Sequence, residues 1–137
     1  MKAIVVHEYG GPEVFKREEH PDQIPGRCEV LVRVAAASVN RINDKRCAGL
    51  TNDFYPIQFP GLTRIDMSGT VVKVGSGVAT STAGNRVFAM ADNTCAEVCV
   101  VKAAVLADIP ERLDSLQAAA LPLVTTTGNQ LMSASRQ

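Results

Sequence analysis

The stretch Glu29-Val-Leu-Val-Arg-Val-Ala35 decides how the rest of the chain is interpreted. Val30, Val32 and Val34 share one face of this stretch, and its two charged residues share the other. A period of two, combined with β-branched side chains, predicts a strand with one buried face. The following segment, Ala37-Ser-Val-Asn40, breaks the alternation, so we expect Asn40 at the end of the strand.

Further short strands are predicted on both sides of this one, because glycine and proline turns separate runs that are rich in β-branched residues. The predicted strands are Lys2–His7, Val14–Glu19, Gly69–Gly75, Arg86–Met90 and Ala96–Val101. Short helices are predicted over Asn40–Gly49 and Ser115–Ala120, the second capped by Asp114 or Ser115, and Thr125 is predicted to begin another helix. The pattern indicates a mainly β fold with short helices (α+β), arranged as a closed or nearly closed β-barrel that leaves few exposed edges.

The composition excludes several classes of protein. The 137 residues fit one domain, and the 46% hydrophobic and 20% charged content is unlike that of a disordered chain. The 14 Lys and Arg balance the 14 Asp and Glu, so no excess charge favours nucleic acid or an anionic membrane. Charged residues follow soon after Met1, unlike the apolar core of a signal peptide. We therefore predict a cytoplasmic protein without a nucleic-acid or membrane partner.

The cysteine and histidine residues do not have the spacing of a metal site. None of the four cysteines belongs to a CxxC pair; they are Cys28, Cys47, Cys95 and Cys99. Both histidines, His7 and His20, lie near the N-terminus, where we expect exposed or structural roles. The sequence therefore predicts reduced thiols and no bound metal.

Several short segments recur together in one known family. They are Met1-Lys-Ala-Ile4, Gly10-Gly-Pro-Glu13, Ala37-Ser-Val-Asn40, Gly69-Thr-Val-Val-Lys-Val-Gly-Ser-Gly-Val78, Gly84-Asn-Arg-Val-Phe88 and Ala118-Ala-Ala-Leu-Pro122. In this order the segments resemble the N-terminal GroES-like domain of the medium-chain dehydrogenase/reductases, in the zinc-independent quinone oxidoreductase (zeta-crystallin-like) branch. The resemblance implies a GroES-like, partly open barrel over residues 1–122. Residues 123–137 would begin the connection to a nucleotide-binding domain.

The resemblance also implies a chemistry and three site residues. Complete members of the branch reduce a quinone or enone with NADPH and without zinc, and Asn40 stands where zinc-dependent relatives have a cysteine. Asn40 matches a residue near substrate and nicotinamide, which implies a catalytic and cofactor-binding role; its alternative is to cap a turn. Tyr55 matches a pocket-bordering loop, which implies a catalytic role, and packing against Pro56 and Phe59 is its alternative. Thr127 matches a cofactor-binding position, and a plain helix residue is the alternative.

The chain lacks the Gly-rich strand-to-helix turn that holds a dinucleotide pyrophosphate in a Rossmann domain. We therefore expect a truncated portion of an NADPH-dependent quinone or enone oxidoreductase, with weak or no NADPH binding and no independent turnover. A second hypothesis is a stand-alone GroES-like barrel that acts as a protein-binding or oligomerisation module. It would contact a second copy or the parent enzyme through the apolar residues Leu121, Leu123, Val124, Leu131 and Met132.

Overall fold

The computed structural model describes residues 1–135. Its strands are β1 (Lys2–Val6), β2 (Lys16–Glu19), β3 (Glu29–Ala36), β4 (Gly61–Leu62), β5 (Asp66–Val74), β6 (Arg86–Met90), β7 (Val98–Lys102) and β8 (Ala107–Asp108). The α-helices are α1 (Arg41–Cys47), α2 (Ser115–Ala119) and α3 (Pro122–Ala134). Among the described residues, none of the helices has the length and apolarity needed to cross a bilayer.

The strands form two antiparallel sheets. The larger sheet has the order β7-β3-β5-β6-β8, and the smaller one has the order β2-β1-β4. A single bridge between Ala3 and Ala96 joins the smaller sheet to the segment before β7. Because the two sheets do not close on each other, the predicted mainly β, partly open architecture with short helices is confirmed.

The buried face of β3 forms the centre of the main core, as its alternation predicts. Val30 and Val32 are fully buried and belong to one core cluster with residues of β5, β6 and β7. Their fully or nearly fully buried partners are Met67, Val71, Val87, Ala89, Cys99 and Val101. Burial of this apolar face supplies the main driving force for assembly of the five-stranded sheet.

Four predicted elements begin at least two residues from their predicted start, and one of them is β7, which starts at Val98 rather than Ala96. Strand β5 starts at Asp66 rather than Gly69, and α3 starts at Pro122 rather than Thr125. Proline suits the first helical turn because its missing N–H has no partner there in any case. Val14 ends a short 3-10 turn, and the return strand starts only at Lys16. The predicted cap of α2 is confirmed: Asp114 accepts a hydrogen bond of 2.7 Å from the N–H of Gln117.

The last helix packs against the larger sheet. Helix α3 contacts β5 and β6, and the N–H of Leu123 donates to the side chain of Asp66 in β5. This helix includes most of the segment 123–137, for which we predict a connection to another domain. Arg136 and Gln137 of that segment lie outside the described residues.

Strand β7 lies at one edge of the larger sheet. Its main-chain N–H at Val100 points away from β3 and donates to the side-chain oxygen of Gln23 at 2.7 Å. A side chain from the loop before β3 therefore satisfies a donor that an open edge would leave unpaired.

Candidate active site

An apolar cavity of about 570 Å³ lies between α1, the loop around Tyr55, the end of β6 and α3. Its lining residues are Ile42, Phe54, Tyr55, Ile65, Met90, Ala91, Asp92, Leu123 and Thr127. Apolar walls with a few polar groups, at this volume, are typical of sites for small organic molecules. Two residues predicted from the sequence, Tyr55 and Thr127, therefore line one cavity.

The hydroxyl of Tyr55 is held by charged neighbours. It donates to the carboxylate of Asp92, and the guanidinium of Arg46 lies 3.8 Å from the centre of the Tyr55 ring. Arg46 is only 8% exposed and binds Asp92 at 3.3 Å and the main-chain oxygen of Pro56 at 3.2 Å. Burial, and then the acceptor and charge of Asp92, raise the pKa of Tyr55 to about 12, although Arg46 opposes the rise. Tyr55 is therefore neutral near pH 7, and its hydroxyl proton is hydrogen-bonded to the carboxylate of Asp92.

We expect the free energy of unfolding to fall less steeply with rising alkaline pH in Tyr55→Phe than in the parent protein. The pKa of Tyr55 is raised from 10.0 to about 12, so its protonated form favours the folded state. This contribution is complete below pH 10 and is lost as the pH rises to about 12. Urea unfolding from about pH 9 to about pH 12 measures the difference between the two proteins. A difference that does not change with pH across that window would contradict the shift.

Asn40 caps α1 and does not line the cavity. Its N–H donates to the side-chain oxygen of Asn43 at 2.8 Å, and the N–H of Asn43 donates to the main-chain oxygen of Asn40 at 2.9 Å. The Asn40 amide nitrogen donates to Asp66 and to the hydroxyl of Ser38, both at 2.8 Å. Asn40 therefore occupies the N-cap position of α1, while its side-chain NH₂ group is held by Asp66 and Ser38. A catalytic or cofactor-binding role for Asn40 stays a prediction.

Thr127 lies one turn beyond Leu123 on α3, and both side chains reach the cavity. Thr127 is exposed, so its hydroxyl is accessible to a ligand from the cavity side. Helix α3 is connected to Asn40 only through Asp66, whose carboxylate accepts from the Asn40 amide and from the N–H of Leu123. The cofactor role of Thr127 stays a prediction.

Three residues of this region were not predicted as site residues: Arg46, Asp66 and Asp92. Asp66 has a recognisable signal, since it is a lone carboxylate between the apolar residues Ile65 and Met67. A charge in such a run is costly to bury unless it has hydrogen-bond partners, and this marks it for a specific role. Arg46 and Asp92 carry no comparable local signal, because their contact joins α1 to the loop after β6.

Residues 1–135 contain no group of three or more His, Cys, Asp or Glu side chains placed to hold a metal ion. Cys28 is an exposed free thiol, Cys95 is half-buried, and Cys47 and Cys99 are buried. Burial raises the pKa of Cys99 to about 12, so this thiol is protonated near pH 7 and is a poor metal ligand or nucleophile. The absence of zinc stays a prediction.

Comparison with known proteins identifies the family. The model of the alcohol dehydrogenase GroES-like domain matches residues 26–111. The NADPH-dependent alkenal/one oxidoreductase of Arabidopsis thaliana, a chloroplastic protein, is 34% identical over 95% of this chain and 36% of its own length. A chloroplast envelope quinone oxidoreductase homolog of the same plant is 30% identical over 97% of this chain and 42% of its own length.

A solved structure is similar in fold as well as sequence. Escherichia coli quinone oxidoreductase complexed with NADPH has a TM-score of 0.87 and 32% identity, covering 96% of this chain and 40% of that one. The chain thus spans about 40% of the length of the relatives it matches. By the family model, the relatives and the shared fold, the chain belongs to the alcohol dehydrogenase GroES-like domain family, in the quinone oxidoreductase branch of the medium-chain dehydrogenase/reductases.

Proposed function

We propose that this chain is the substrate-side portion of an NADPH-dependent quinone or enone oxidoreductase. The observation that carries the proposal is the apolar cavity of about 570 Å³, bordered by Tyr55 and Thr127. Its volume suits a ring-sized acceptor, and its apolar walls favour the neutral acceptor over water. The names of the relatives supply the reaction class, since they include quinone oxidoreductases and an alkenal/one oxidoreductase.

Some side chains of the site form the cavity wall, and others position the acceptor and the cofactor. NADPH supplies the hydride when bound, and the protein positions the acceptor and excludes water. Tyr55 offers a rigid aromatic wall, because Arg46 and Asp92 fix its ring and hydroxyl. We propose catalytic roles for Asn40 and Tyr55, and a place for Asn40 and Thr127 beside the nicotinamide end of the cofactor.

Few groups in these residues suit the phosphates of a dinucleotide. Helix N-termini bind phosphate through free N–H groups and a positive dipole end. At the N-terminus of α3, the carboxylate of Asp66 already accepts from the N–H of Leu123 and adds negative charge. The carboxylate of Asp66 therefore disfavours a pyrophosphate at the N-terminus of α3, and we propose that these residues contact only the nicotinamide end of NADPH. We propose that the chain does not turn over substrate without a nucleotide-binding domain.

Titration calorimetry of the 137-residue chain with NADPH is expected to give a dissociation constant above about 1 mM, equivalent to less than about 4 kcal/mol. The physical reason is that most phosphate contacts would come from residues outside this chain. Fusion to the nucleotide-binding domain of a quinone oxidoreductase is expected to create quinone-dependent NADPH oxidation. Micromolar binding by the chain alone, or a folded fusion without that activity, would contradict the proposal.

Zinc independence is a further part of the proposal. The free thiols do not cluster, and no histidine belongs to the loop that contains Asn40. Elemental analysis of protein purified without a chelator is expected to give well below one zinc per chain. One tightly held equivalent would contradict the zinc-free mechanism.

The free cysteines of the chain bear on the cellular compartment in which the protein is found. Four free cysteines, of which Cys28 is exposed, suit a reducing compartment, and we propose a cytoplasmic location on that basis. Fractionation of cells that produce the protein tests this, and recovery with an organelle would contradict it.

A second candidate function is a stand-alone module that binds another protein or a second copy of itself. The observation that favours it is the exposed apolar side of α3, where Val124, Leu131 and Met132 are 56%, 68% and 62% exposed. Exposed apolar groups close together on one helix are typical of a covered surface. The molar mass in solution separates the two hypotheses, since a stable dimer that resists dilution favours the module.

A further inference from the structure

The carboxylate of Asp66 is fully buried and has no ion-pair partner among the described residues. One oxygen accepts from the hydroxyl of Ser38 at 2.6 Å and from the amide of Asn40 at 2.8 Å. The other oxygen accepts from the N–H of Leu123 at 3.0 Å. A buried carboxylate requires such donors, because without them the loss of hydration is uncompensated.

The two oxygens of Asp66 hold two different segments. One faces the loop that leads from β3 into α1, and the other faces the first turn of α3. Helix α3 has Leu121 at its N-cap position, and this side chain cannot accept a hydrogen bond. The carboxylate from β5 therefore acts as the cap of α3, with a negative charge that the helix dipole favours.

The chemistry of Asp66 also sets the orientation of Asn40. The Asp66 oxygen accepts from the Asn40 side chain, which therefore turns its NH₂ group toward position 66. The hydroxyl of Ser38 completes the arrangement, because it donates to Asp66 and accepts from Asn40. A side chain with the opposite hydrogen-bonding character at position 66 would demand the opposite orientation of Asn40.

We propose that Asp66 is the positioning residue of the site: its single carboxylate fixes Asn40 on one side and α3, with Thr127, on the other. Asp66 does not line the cavity, so it acts through these neighbours. The description of the cavity as a substrate site rests on the proposed function. The link between Asn40 and α3 is independent of that function, because it rests on the hydrogen bonds of Asp66.

The test compares the isotope-labelled chain with three variants, Asp66→Asn, Asn40→Asp and the double variant that carries both changes. The double variant exchanges amide and carboxylate, and so restores a donor–acceptor pair between positions 40 and 66. NMR follows the side-chain NH₂ of Asn40 where it is present, and the main-chain N–H signals of Leu123 and Thr127. Hydrogen exchange is measured at Leu123 and, as the reporter of global unfolding, at the core amide of Val71.

In Asp66→Asn we expect Leu123 to exchange about tenfold faster relative to Val71, and the Asn40 NH₂ and Thr127 signals to shift. In Asn40→Asp, two carboxylates face each other, so the exchange at Leu123 is expected to be faster still. In the double variant, the ratio is expected to return to within about threefold of the parent. Failure of this rescue, or an unchanged ratio in Asp66→Asn, would overturn the proposal.

Thr94→Ala serves as a matched control for a purely structural effect. Thr94 is fully buried and donates to the main-chain oxygen of Asp66 at 2.9 Å, without touching its carboxylate. This variant is expected to lose stability while the ratio of Leu123 to Val71 exchange stays the same. A changed ratio in Thr94→Ala would show that any damage near Asp66 loosens α3, and would overturn the specific role. None of these measurements uses quinone or NADPH, so a fusion that fails to reduce quinone would contradict only the proposed function.

Discussion

Gly69→Ala is expected to lower the free energy of unfolding by about 3 kcal/mol or more. A Cβ atom at this position would overlap the main-chain oxygen of Arg33 and lie 2.8 Å from a methyl group of Val32. Both residues belong to β3, which pairs with β5 at this point. The main chain cannot retreat without breaking the central pairing of the sheet. The midpoint of urea unfolding measures the effect.

Gly128→Ala is the matched control for this substitution. Gly128 lies inside α3, and a Cβ there would have no neighbour within 4 Å. Alanine favours a helix interior over glycine by about 0.8–1.0 kcal/mol, so the control should be more stable than the parent. Similar losses in the two variants would contradict the steric explanation for Gly69.

Asn40→Ala is expected to lower turnover by roughly 100-fold in a fusion of this chain with a nucleotide-binding domain. The substitution removes both donors of the Asn40 amide, including the one that reaches Asp66 at 2.8 Å. Displacement of the groups around a reacting ligand by as little as about 1 Å can cost about 100-fold in rate. We expect the free energy of unfolding to fall by only about 1–3 kcal/mol. Steady-state rates of the fusion measure the change in turnover, and urea unfolding of the same fusion measures the change in the free energy of unfolding.

The control for Asn40 is Thr94→Ala. Thr94 is fully buried and donates to the main-chain oxygen of Asp66 at 2.9 Å, so its loss leaves the contacts of the Asn40 amide in place. We expect a loss of stability similar to that of Asn40→Ala, with turnover within about threefold of the parent. If Asn40→Ala loses stability but keeps normal turnover, Asn40 is a helix cap and has no part in the reaction.

The fold could be predicted from local patterns because its strands are short and alternate clearly. The valines of β3 face the core as their spacing predicts, and the cap at Asp114 is readable from four residues. The start of α3 at Pro122 was missed because proline is usually taken as an interruption, although it suits a first helical turn. The start of β5 at Asp66 was missed because a charged residue is unusual in a buried strand.

The candidate site was only partly predictable. Tyr55 and Thr127 carry their signal in the segments around them, and the structure brings both to one cavity. Asp92 is 37 residues from Tyr55, and Asp66 is 57 residues from Leu123, so neither contact has a local pattern. Such contacts follow from the crossing of distant segments, which a single sequence does not encode in any short window.

The hydrogen bond between Gln23 and Val100 bears on whether another strand can add to the edge of the larger sheet. An unpaired edge strand invites a strand from another molecule to add to the sheet, which is the first step of fibril growth. Here the Gln23 side chain occupies the donor of Val100 at 2.7 Å, so an incoming strand must first displace it. The Gln23 side chain therefore competes with an incoming strand for the N–H of Val100, and we expect this competition to slow strand addition at the sheet edge.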